Sequence, residues 1–137
     1  MKEIKNYPPN YSELQRFFPL NLPDYVPLFP YGDILYNPSG GEIAPDVLFH
    51  EEIHSNQQKK FSTPEQWWAK YIYDRYFRLE QELEAYYLQW QFVKKSLGSK
   101  AAKECLEELS DNLSSPLYQL NLTRSQAKTK IRKYAIY

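Results

Sequence analysis

Cysteine is almost missing from this chain. Cys105 stands alone among 137 residues, so no intrachain disulfide can form and the fold does not depend on an oxidising compartment. Long apolar runs are missing as well: no stretch approaches the roughly eighteen consecutive apolar residues of a membrane span, and no apolar leader core follows Met1 to Tyr7. A cytoplasmic location without membrane insertion is the expectation. Net charge is missing too, because seventeen basic side chains offset seventeen acidic ones; nucleic acid and anionic membranes are therefore not the expected partners. Acidic residues stop at Asp111, whereas Arg124, Lys128, Lys130, Arg132 and Lys133 follow it. Five cations on one amphipathic helix are more often a solvated face than a nucleic-acid contact. Histidine is scarce, and both copies, His50 and His54, fall in one short stretch.

Aromatic residues, in contrast, make up 17% of the chain, enough for a small core to bury much area per residue while phenol hydroxyls reach polar partners. The length suits one domain over residues 1–137. Residues 1–31 are rich in proline and aromatics, which predicts an extended segment pinned by its rings, with one helical turn over Ser12 to Phe17. Pro30-Tyr31-Gly32-Asp33 reads as a turn and Ile34 to Asn37 as a short strand, paired with Tyr25 to Phe29 in a small sheet or hairpin. A strand edge beside the next helix would suit pairing with an extended peptide.

That next helix is predicted from Pro45 to about Lys59, with Asp46 in its positive first turn. It carries His50-Glu51-Glu52-Ile53-His54, an HExxH motif. Two histidines placed at random in such a chain would stand four apart about one time in seventy. On a helix that spacing sets both imidazoles about 40° apart on one face, half of a tetrahedral zinc site. Glu51 is rotated about 100° from His50, beside such an ion and not on it. A general base for an activated water must stand there.

Thr63 caps a helix that opens at Pro64 and carries Trp67, Trp68 and Tyr71; its tryptophan pair reads as core before substrate platform. A long helix follows from Asp74 or Arg75 to Leu97, ended by Gly98, with the apolar stripe Tyr76, Leu79, Leu83, Tyr86, Tyr87, Trp90 and Val93. Ser99 is the expected cap of a helix over Lys100 to Asn112, and a last helix is expected from Thr123 to about Ala135. The fold class is mainly α with a small β element. A zinc site needs a third protein ligand, and with no further histidine the candidates are carboxylates. Glu80 and Glu84 share one face of the long helix, while Glu82 lies about 160° from each. Periodicity alone does not choose between them.

His50-Glu51-x-x-His54 followed by Glu82-Leu83-Glu84-Ala85-Tyr86 resembles the gluzincin zinc metallopeptidases, in particular the small minigluzincins. The resemblance covers residues 33 to 89 at most and implies a zincin-like core, in which the motif helix packs on a glutamate-bearing helix. It implies Glu82 as the third zinc ligand beside His50 and His54, with Ala85 allowing close helix approach and Glu51 as catalytic base. The chain departs from the family by placing Tyr86 where Asp is frequent. Gly32 to Pro38 and Ser115 to Tyr118 are also similar to small phage- or prophage-encoded HExxH proteins.

The implied activity is hydrolysis of a peptide or protein substrate: zinc lowers the pKa of its water towards about 7, Glu51 takes the proton, and Tyr36, Tyr71, Tyr76 or Tyr86 steadies the oxyanion. The alternatives are a non-catalytic binding module and, for Glu82, a surface pair with Arg78. The segment 117–137 either fills the cleft as a latency device or packs as a last helix through Leu120, Leu122 and Ile131.

Overall fold

Proline spacing decides where regular structure begins. The computed structural model describes residues 1–21 and 25–134. Pro8, Pro9 and Pro19 leave a proline-free window between them, and Tyr11–Phe17 uses it to form the two-turn helix α1, with Leu14 buried. The extended reading of residues 1–31 is thus corrected. This segment also contains strand β1 (Lys2–Ile4) and strand β2 (Phe29–Tyr31).

With β3 (Ile34–Tyr36) these strands form a sheet in the order β1-β3-β2, β1 running parallel to β3 and β2 antiparallel. The hairpin is tighter than expected. Tyr31 lies opposite Ile34, so the turn is only Gly32-Asp33, with Gly32 at a φ of +62° that favours glycine. Pro30 sits in β2 where its backbone faces away from β3, and its missing N–H leaves the ladder intact.

That outward edge is not free for a peptide. The Pro30 carbonyl accepts from Gln58 Nε2 at 2.8 Å and Trp68 Nε1 at 3.0 Å, while Gly32 bonds to Gln58 Oε1 and Ser55 Oγ at 2.7 Å each. Those partners come from helices α2 (Pro45–Gln58) and α3 (Pro64–Tyr73). Buried carbonyls need donors, and these side chains supply them.

Helix α4 (Arg75–Leu97) ends at Gly98, whose φ is +92°, and α5 (Ser99–Leu113) starts at once. Gly98, not Ser99, holds the N-cap position of α5. After a 3-10 turn at Pro116–Tyr118, Thr123 caps α6 (Arg124–Lys133) through a capping box with Gln126. The expected end of that helix at Ala135 lies outside the described residues.

Two apolar clusters result. One joins Leu14, Phe18 and Phe29 to Trp67, Trp68, Tyr71 and Ile72, so the tryptophans are core. The other joins Tyr86 to Leu106, Leu109 and Leu113 of α5 and to Leu120, Ala127 and Ile131. Segment 117–134 therefore packs, with Leu122 partly buried against the second cluster. Two of its cations serve α5: Arg124 pairs with Glu107 and Asp111, and Lys128 with Glu107. Ile131 is fully buried, so Ile131→Ala should cost about 2–5 kcal/mol in urea unfolding. A loss under about 1 kcal/mol would mean that α6 is not a packed element.

Candidate metal centre

Helix α4 turns a polar face inward. Arg78, Glu82, Gln89 and the small Ala85 are buried, whereas Tyr76 of the expected apolar stripe is 71% exposed. Opposite it, α2 buries His50, His54 and Gln57. Polar groups removed from water must find partners, and those of α2 and α4 find each other. Glu82, 2% exposed, is therefore no surface partner of Arg78. Glu80 is exposed, and Glu84 is half-buried.

His50 Nε2 and His54 Nε2 stand 3.1 Å apart, and Glu82 Oε1 lies 3.3 Å from the first and 3.2 Å from the second. Donors around a tetrahedral zinc at about 2.0–2.1 Å would themselves stand about 3.3 Å apart. The three buried atoms fit that spacing.

The outer ring nitrogens show why these three atoms converge. Gln89 Nε2 donates to Asp46 Oδ2 at 2.8 Å, which leaves its Oε1 as an acceptor, so His50 Nδ1 donates to it at 2.9 Å. Gln57 Nε2 donates to the Gln81 carbonyl at 3.0 Å and to Glu84 Oε1 at 2.9 Å, and His54 Nδ1 donates to Gln57 Oε1 at 2.8 Å. With both Nδ1 atoms protonated, each neutral ring turns a lone pair inward at Nε2. Two lone pairs and a carboxylate oxygen then face one another, an arrangement that calls for a cation.

A proton or a metal ion can answer that need. Burial opposes charge on His54, but Glu82 outweighs it and Glu51 adds to it, so the imidazole is pushed up to about 9. Burial would likewise raise the Glu82 carboxyl, yet His54 and His50 hold it well below the usual carboxylate range. The second carboxylate oxygen, Oε2, accepts from the Tyr71 hydroxyl. Burial, then Glu82, raises that phenol well above its ordinary value. His50, His54 and Glu82 can thus hold a metal ion.

Glu51 is half-buried beside the triad and lines the same cavity. Burial raises its pKa; the two histidines oppose that shift and Glu82 adds to it. The centre opens on one side to an aromatic cavity of about 70 Å³ and on the other to a groove of about 440 Å³, with His50, Glu51, Tyr25 and Tyr118 lining both. Of the four tyrosines weighed from sequence, Tyr71 serves Glu82, Tyr36 packs on the first apolar cluster and Tyr76 faces solvent. Tyr86 sets its ring tilted 4.4 Å from that of His50, and its hydroxyl lies 2.5 Å from that of Tyr118. The support for His50 comes from Gln89, one turn beyond Tyr86.

Gln57, Gln89, Tyr25 and Tyr118 were not visible as site residues in the sequence. Gln57 falls on the histidine stripe of α2, but an amide at that spacing has no motif. Gln57→Leu and Gln89→Leu should each weaken metal binding by about 10–100-fold in a chelator competition while the chain stays folded. Unchanged affinity would remove both from the centre. No protein family, curated protein or solved structure matches the chain.

Proposed function

We propose that the chain is a zinc-dependent metallopeptidase of gluzincin type, with His50, His54 and Glu82 as ligands and Glu51 as general base. The observation that carries this reading is the trio of buried acceptor atoms 3.1–3.3 Å apart, flanked by a half-buried glutamate. Zinc, when bound, supplies a Lewis acid that polarises a carbonyl and acidifies water.

The chain's own groups do the rest. Gln57 and Gln89 hold the imidazoles in the tautomer that presents Nε2, and Tyr71 fixes the free oxygen of Glu82. Glu51, whose pKa is raised, accepts the proton of the attacking water and passes it to the leaving amine. Tyr118 keeps its proton, because burial and then Glu82 raise its pKa well above the ordinary value. From its place in both cavities it can donate to the carbonyl oxygen. The peptide lies in the 440 Å³ groove, since Ser55, Gln58 and Trp68 already occupy the edge of β2.

Glu51→Gln should keep the metal and the melting temperature yet lower hydrolysis of an unstructured protein by about 100-fold or more, because an amide cannot accept the proton. Glu82→Ala should instead lose the metal itself. Equal hydrolysis by wild type and Glu51→Gln, or none by either in zinc-loaded form, would leave a non-catalytic metal-binding module.

A further inference from the structure

We propose that the end of the molecule away from the metal centre carries a docking pocket for an acidic peptide segment with an apolar anchor residue, presented by a partner protein. Lys94 lies twelve residues beyond Glu82 on the same helix, a distance of about 18 Å. There the end of α4, the start of α5 and α6 flank an open cleft of about 310 Å³. Its floor is Trp90, Ala102 and Leu106, and its rim carries Lys94, Lys103, Lys128 and Arg132 together with Ser99 and one carboxylate, Glu107.

The indole N–H of Trp90 donates to the Ala102 carbonyl at 3.0 Å, so the floor asks for no polar partner. The rim does. Among the described residues only Lys128 of these four cations enters an ion pair, with Glu107. Lys94 and Arg132 stand in the last turns of their helices, where the dipole favours cations without any ligand. Lys103 has neither an ion pair nor that placement, since it stands in the second turn of α5. The rim thus sets four cations against one carboxylate, and an anion seated in the pocket offsets the excess.

The shape selects the anion. A nucleic-acid strand needs cations spaced along a track and is drawn by net positive charge, whereas these four cluster round one open cleft on a chain of zero net charge. An apolar floor inside a cationic rim suits an apolar side chain flanked by carboxylates. The proposal is independent of the metal centre.

The test uses the full chain and a fluorescein-labelled unstructured peptide with one leucine flanked by glutamates, followed by anisotropy. Wild type should bind it, with affinity falling as salt is raised, and the same peptide with glutamine for glutamate should not bind. Lys94→Glu/Arg132→Glu, checked for fold by circular dichroism, should weaken binding by about tenfold or more. If that pair does not fold, Lys103→Gln should weaken it in the same direction. Salt-independent binding, equal binding of the glutamine peptide, or undiminished binding by the folded variants would overturn the proposal. So would tighter binding of a single-stranded oligonucleotide or of phosphatidylserine vesicles.

Discussion

Three electron-rich atoms held against one another dominate this structure: the Nε2 atoms of His50 and His54 and one oxygen of Glu82, all within 3.1–3.3 Å. Such an arrangement is unfavourable unless positive charge lies between them. The chain nonetheless invests several buried groups in keeping it. Gln57 and Gln89 turn the imidazoles inward, Asp46 and Glu84 orient those amides, and Tyr71 holds the far oxygen of the carboxylate. A network satisfied at each outer bond and electron-rich at its centre can hold a cation without rearranging.

The rest of the fold follows from housing that network. Helices α2 and α4 meet through the buried polar residues of the site, with Phe49 stacked on Phe92 beyond them, and the two apolar clusters are built largely from other elements. Arg78 ties the clusters together. Its buried guanidinium donates to the carbonyls of Tyr71 and Ile72 at 2.7 and 3.0 Å and to that of Tyr118 at 2.8 Å, and lies over the Phe18 ring at 5.2 Å. One cation thereby sets two phenols of the site from segments far apart in sequence. The same clamp explains why the turn at Pro116–Tyr118 forms a wall of the cleft, although α6 beyond it is an ordinary packing helix.

Helix positions were legible because local chemistry writes them: Pro45, Thr63, Pro64, Gly98 and Thr123 punctuate the chain as their backbone preferences demand. His50, Glu51 and His54 were legible by spacing. Glu82 was not legible by periodicity, since the inward face of α4 is polar and the usual apolar marker points elsewhere; Tyr76, apolar in pattern, faces solvent. Strand β1 was hidden because three residues, two of them exposed, carry no period, and its parallel partner is 32 residues away (Lys2 opposite Ile34). Gln89 and Tyr118 were hidden for another reason. An amide or a phenol becomes part of a site only through tertiary contact, and neither type announces it.

The central claim is that this cluster holds one zinc ion through two imidazoles and one carboxylate. X-ray absorption at the zinc edge, on protein loaded with one equivalent of metal, tests it most directly. The account predicts two imidazole nitrogens and light oxygen donors, with one imidazole lost in His54→Ala and a carboxylate lost in Glu82→Ala. A sulfur donor from Cys105, or an unchanged spectrum in both variants, would contradict it.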